Sequence, residues 1–217
     1  MSLNLTKKFL SFAQRIFFEE LGSKFDAKDF KKIMDFLYVI FEKICIKFKT
    51  ISLYYMQLYQ ELIDKEIKMA NISKPDKVLV IGCGSLPTTS VLIFNKTGSD
   101  VTGIDIDPLA IKNASGYLER IEIKDNIKLE LADGLTYPID KYDVIFVLYG
   151  IRKHQDILQL IAKNMKESSR VVFRTSISDE VELKNDTKML SKWFDVKSHI
   201  VSKTLFPVGS YLLLKQK

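Results

Sequence analysis

Cysteine is all but missing from this chain: Cys45 and Cys83 are the only two, far apart and each inside an apolar run. That scarcity speaks against a disulfide or zinc framework and points to a reducing cytoplasm. Histidine is equally rare, and neither His154 nor His199 has metal-ligand spacing to Cys, Asp or Glu, so both read as structural. No apolar run approaches the roughly 18 residues of a membrane span. Residues 1–20 mix Lys, Arg and Glu with apolar positions and show no small-residue cleavage site, which argues against a signal peptide. Internal repeats and low-complexity tracts are also missing.

What is present is enough for a sizeable core. Of 217 residues, 47% are apolar and 28% charged, the balance of an ordered globular chain. The net charge of +6 admits an acidic partner such as RNA, but the lysines are scattered among Glu and Asp. A solvated basic surface is the preferred reading.

From Leu5 to about Ala70 the apolar positions follow a helical rhythm: Phe9, Phe12, Ile16 and Phe17, then Phe30, Ile33, Phe36, Leu37 and Ile40. Gly22 reads as a helix stop and Asp26 as the next cap, and a third helix is expected from about Ser52 to Met69, broken by Pro75. Residues 1–72 are therefore expected to be an N-terminal all-α segment and residues 73–217 a second domain. There the rhythm changes. "KVLVIG", "DVTGID", "IKLELA", "YDVIFVLY" and "RVVFRT" read as strands, with helices near residues 87–95, 108–119, 153–165 and 182–193. Such alternation specifies an α/β fold with a parallel sheet covered on both faces. The end differs, because "FDVKSHIVS" and "SYLLLKQ" are joined by a stretch that reads as a hairpin. Trp193 and Phe194 are expected to seal the core beneath it.

The segment "KVLVIGCGSLPTTSVL" holds an apolar strand, a glycine turn and a proline-started helix. Gly82 and Gly84 allow a tight turn and a close backbone approach to a ligand. Pro87 suits the first turn of the next helix, whose free amides favour a carboxylate or phosphate. Asp105 ends the second strand, where an acid can accept both ribose hydroxyls of a nucleoside. Asp133, after the third strand, lies at the same sheet edge, in reach of an adenine amino group. A nicotinamide site has no use for Asp133 and expects a small residue where Pro87 stands. An adenosine ligand ending in an amino acid fits better. Asp107 reads as a helix cap and Cys83 as a small filler.

From about residue 75 to its end the chain resembles class I S-adenosylmethionine-dependent methyltransferases. The resemblance implies a Rossmann-like seven-stranded sheet with its last strand antiparallel, and S-adenosylmethionine as co-substrate. Gly82 and Gly84 would flank its methionine part, Asp105 the ribose and Asp133 the adenine. Leu86, Pro87, Ile106 and Gly134, beside these positions, complete the implied contacts. The turn itself, "IGCGSLPTTSVLI", is similar to the "GSGPLPLTS" segment of nicotianamine synthases, with Leu86, Pro87, Thr89 and Ser90 in register. "YDVIFVLYGIRKHQDILQLIAKNM" matches that family at Gly150 and Lys153, "VVFRTS" matches a strand that places Arg174 at the site edge, and "LYQELIDKE" matches "NYxxLxxxE" at Tyr59, Leu62 and Glu66.

Nicotianamine synthases transfer the aminocarboxypropyl group of S-adenosylmethionine to an amine and leave methylthioadenosine. The resemblance therefore implies a small-molecule amine acceptor. Tyr59 falls on the family's tyrosine, Tyr149 lies where acceptor contacts occur in this fold, and Arg174 can pair with a ligand carboxylate. The general base is not assigned; Glu19, Glu20 and Glu61 are candidates by type. Leu58 replaces the motif's Asn, and the helical segment is shorter than in plant members. Two alternatives stay open. One is a methyltransferase acting on a small molecule or on rRNA, since rRNA methylases of the aminoglycoside-resistance type carry a loosely similar "GCGxNPL" turn. The other is a binding module without chemistry. Nucleic acid is the less favoured partner, no membrane is expected, and the N-terminal helices would cover the pocket, form a homodimer, or both.

Overall fold

The computed structural model describes residues 49–151, 153–176, 180–203 and 207–216. The helices expected before residue 49, with Cys45, Glu19 and Glu20, lie outside the described residues. The chain divides into two units, Met1–Leu58 and Tyr59–Lys217.

Helix α1 (Lys49–Met69) buries Tyr59, Leu62, Ile63 and Glu66, a spacing that aligns one helical face. Its stop is made earlier than Pro75. Asn71 adopts a left-handed φ of 48°, the Ile72 amide donates to Ile67 O at 3.0 Å and the Asn71 amide to Lys68 O at 3.2 Å. That pair of bonds closes a helix by capping its last carbonyls, so the proline follows a helix that has already ended.

Strand β1 (Lys77–Ile81) is buried from Val78 to Ile81, the continuous apolar run of a strand covered on both faces. Helix α2 (Thr88–Thr97), β2 (Asp100–Asp105), α3 (Pro108–Arg120), β3 (Ile127–Leu131), β4 (Val144–Val147), α4 (His154–Asn164), β5 (Arg170–Ser176), α5 (Glu180–Leu190), β6 (Phe194–Lys203) and β7 (Pro207–Lys215) follow. The seven strands form one sheet in the order β3-β2-β1-β4-β5-β7-β6. Strands β1 to β5 pair in parallel, with Val78 opposite both Val101 and Val144. Strand β7 runs antiparallel to β5 and β6, with Phe173 opposite Tyr211. This is the class I methyltransferase sheet, with its last strand reversed.

On one face Leu79, Ile81, Ile145, Val147, Val171 and Phe173 pack with Ile157, Leu158 and Ile161 of α4, Leu190 of α5 and Phe194. Strand order reverses between β1 and β4. In open α/β sheets the crevice beyond the carboxyl ends at such a point receives the ligand.

Candidate functional site

The chain leaves β1 through Gly82 and Gly84, both left-handed at φ 75° and 69°. That backbone strains any residue with a Cβ. The Gly82 and Cys83 amides donate to Ile104 O at 2.9 and 3.0 Å, tying the turn to the end of β2. Gly84 N then donates to Asp105 Oδ2 at 2.8 Å, and Asp107 N to Asp105 Oδ1 at 3.0 Å. The half-buried carboxylate is thus held by two amides, and each oxygen keeps acceptor capacity beyond them. Asp107 caps α3 by accepting from Leu109 N at 2.9 Å. Cys83 is buried against Gly103, where an added Cβ would lie 3.1 Å from its own.

Asp133 builds the neighbouring turn. Its Oδ1 accepts from Leu135 N at 2.9 Å and its carbonyl from Thr136 N and Tyr137 N, each at 3.0 Å. Gly134 is buried, and a Cβ there would meet Ile81 Cγ2 at 2.8 Å and Ile157 Cδ1 at 3.2 Å. The loop can reach the end of β1 only without a side chain. Ile106, between Asp105 and Asp107, is 68% exposed. Leu86 and Pro87 are buried. Pro87 is the N-cap of α2 and not within its first turn; its carbonyl accepts from Val91 N at 3.0 Å.

Behind the turn lies a buried charged network. Arg174 on β5 is 5% exposed and Glu66 on α1 is 0%. Arg174 Nε donates to Glu66 Oε1 at 2.6 Å, Nη2 donates to Oε2, and Nη1 donates to Thr89 Oγ1 in the first turn of α2 at 2.8 Å. Ser210 on β7 donates to Glu66 Oε1 at 2.6 Å. The guanidinium lies 5.7 Å from the Phe146 ring centroid, close enough for cation–π attraction. Two buried charges are tolerated because they meet in a two-point fork with further hydrogen bonds. The carboxylate that Arg174 meets in this structure is one of the protein's own.

A second arginine on the same strand reinforces the attachment. Arg170 Nη1 donates to Ala70 O at 2.7 Å and Asn71 O at 2.8 Å, and Nη2 pairs with Asp76. Residues four apart on a strand share a face, so β5 grips the end of α1 at two places. Tyr59 is buried on the same face of α1 as Glu66, and Tyr149 is half-buried just past β4. Glu61 is exposed and paired with Lys65 at 2.7 Å. Ser210 carries no sequence signal, and Glu66 appeared only as a motif position. Among the described residues no group of three or more His, Cys, Asp or Glu could hold a metal ion, and no helix is long and apolar enough to cross a membrane.

This combination of sheet order, glycine turn and strand-end acids defines a class before any individual likeness is weighed. Residues 72–209 match the model of a methyltransferase domain family, and the chain belongs to that family. Individual relatives are of two kinds. L-histidine 2-aminobutanoyltransferase of Yersinia pestis is 30% identical over 126 residues, 55% of this chain and 45% of that protein. Ribosomal protein L11 methyltransferase of Shewanella baltica is 29% identical over 122 residues, 56% of this chain and 40% of that protein. Both matches thus span less than half of the relative's length. Among solved structures, a Glu-to-Gln variant of MtNAS in complex with S-adenosylmethionine superposes with a TM-score of 0.70 at 18% identity, covering 87% of this chain and 75% of that one. This last likeness is one of fold.

S-adenosylmethionine is the co-substrate of this family, and the residues present fit it. The glycine turn bears no side chain at Gly82 or Gly84, and Asp105 offers two amide-braced oxygens to a diol. Ile106 adds an exposed apolar surface beside it.

Proposed function

We propose that the protein is an S-adenosylmethionine-dependent transferase that moves the aminocarboxypropyl group to the amine of a small amino-acid-like acceptor, with methylthioadenosine as by-product. Bound at the glycine turn, S-adenosylmethionine would supply a carbon activated by its sulfonium. Asp105 would hold the ribose, Asp133 the adenine, and the turn at Gly82 and Gly84 the amino-acid end. Tyr59 and Tyr149 would face the acceptor. Arg174 acts as a positioning residue, since its Nη1 fixes Thr89 at the start of α2.

One observation carries the reading. The helix motif around Tyr59 and Glu66, the "LPTTS" turn and the strand that carries Arg174 are three of the four separate places where the sequence resembles nicotianamine synthases. They meet in one network: Glu66, Arg174 and Thr89 are directly bonded. The name of the Yersinia relative, which acts on L-histidine, supports an amino-acid acceptor.

Mass spectrometry of the nucleoside released from S-adenosylmethionine, with L-histidine and a panel of free amino acids and polyamines, tests it. Methylthioadenosine above the no-enzyme background is the expected product. S-adenosylhomocysteine would instead establish methyl transfer, the chemistry named for the ribosomal-protein relative.

A further inference from the structure

We propose that the first turn of α2 binds the carboxylate of S-adenosylmethionine, with the Thr88 and Ser90 hydroxyls and the Thr89 and Ser90 amides as its donors. The assignment rests on the amino-acid end of that molecule lying at the glycine turn, and it holds whichever group is transferred.

Helix α2 is 10 residues long and begins just past Gly84. Its N-cap, Pro87, makes no side-chain hydrogen bond, and no acidic residue stands in the first turn. The helical ladder opens with Val91 N donating to Pro87 O at 3.0 Å, while Thr88 N turns back to Leu86 O at 2.7 Å. Among the described residues no backbone carbonyl accepts from the Thr89 or the Ser90 amide. Two donors and the positive end of the helix dipole are therefore left for an anion.

The side chains add an independent observation. Thr88 is 5% exposed and Ser90 0%, and the hydroxyl oxygen of each is buried with no hydrogen-bond partner among the described residues. Buried hydroxyls are normally paired, because an unmet one forfeits its hydration. Helical Cα–Cβ bonds tilt toward the N-terminus, so the side chains of a first turn lean over the segment that precedes it, here Cys83–Pro87. Positions two apart lie on opposite sides of the helix axis. The two hydroxyls thus flank the line along which the free amides point, an arrangement suited to an anion with two acceptor oxygens. The adenosine of S-adenosylmethionine carries no anionic group, and its methionine end carries one, the carboxylate. Arg174 turns its fork to Glu66 and reaches this turn only through Thr89 Oγ1, at 2.8 Å, so the recognition falls to neutral donors. Thr88 is also where "LPTTS" departs from the "LPLTS" of the resembled turn, which makes its hydroxyl a feature of this chain.

Thr88→Val and Ser90→Ala each remove one hydroxyl at nearly constant shape. The full-length protein is titrated calorimetrically with S-adenosylmethionine and with decarboxylated S-adenosylmethionine, which keeps the adenosine, the sulfonium and the amine. The melting temperature of the unliganded protein is read beside them. Each variant should bind S-adenosylmethionine about tenfold or more weakly, yet hold the decarboxylated analogue within about twofold of wild type. Neither should melt below wild type, because the group removed has no partner in the fold. Equal losses for both ligands would overturn the assignment, since the hydroxyls would then shape the turn and not meet the carboxylate. Affinity for S-adenosylmethionine within about twofold of wild type in both variants would overturn it as well. So would a lowered unliganded melting temperature in both, which would give the hydroxyls to the fold. None of these readings needs turnover, so they stand apart from the product test of the aminocarboxypropyl reading.

Discussion

Asp105 would do two jobs at once, and a single substitution removes both. Its oxygens receive the Gly84 and Asp107 amides at 2.8 and 3.0 Å, so the same carboxylate that would accept ribose hydroxyls also sets the shape of the glycine turn. Hydrogen bonds to a charged group contribute about 1.5–3 kcal/mol each. Asp105→Ala should therefore weaken S-adenosylmethionine binding on the order of a hundredfold or more by calorimetry. Asp105→Asn, which keeps one carbonyl acceptor, should fall between. Unchanged affinity in the Ala variant would remove Asp105 from the site.

The opposite ends of the strands are tied by one aspartate, and its titration makes the tie visible. Asp143, just before β4, accepts from Lys77 N at the start of β1 and from Lys166 Nζ, both at 2.9 Å, while its carbonyl accepts from Arg170 N of β5 at 3.0 Å. Partial burial pushes its carboxyl up, but the Lys77 amide and the Lys166 and Arg170 charges outweigh this and hold it below the usual range. A lowered folded value means stability that is fully present above the unfolded value of about 3.9 and is lost as pH falls through the folded one. Asp143→Asn should cost about 1 kcal/mol in urea unfolding at pH 7. The gap to wild type should close once the pH has fallen through the lowered folded value, below which both side chains are neutral; a gap that persists there would place the effect in packing. Elements of this kind differ in how far sequence exposes them. The strands were legible because "KVLVI" and "YDVIFV" are unbroken apolar runs, and the reversed β7 because its connection to β6 is too short for a crossover. The end of α1 at Met69 was legible, but the device that makes it was not: Pro75 is a visible breaker, whereas a left-handed Asn71 depends on carbonyls that only the folded helix presents.

At the scale of the whole molecule the decisive contacts join residues that are far apart in sequence. Gly82, Gly84 and Asp105 were legible because strand–turn–helix order fixes them locally. The bond between Glu66 and Arg174 spans 108 positions, and periodicity describes one element at a time, so Arg174 could be assigned to the sheet edge but not to its partner. That partner argues for a second domain that begins before Glu66. The sequence suggested residue 73, yet a chain that starts there lacks Glu66, the Ala70 and Asn71 carbonyls that hold Arg170, and the buried Leu62 and Ile63. Leaving one partner of a buried ion pair alone costs about 3–5 kcal/mol, and each lost apolar side chain adds about 1.5–3 kcal/mol. These sums are comparable to the roughly 5–15 kcal/mol that holds a whole domain together. Residues 59–217 should therefore unfold in one cooperative thermal transition, while residues 73–217 should show none or aggregate during expression. A cooperative transition for the shorter chain at the same melting temperature would mean that the grip of β5 on α1 contributes nothing to the fold.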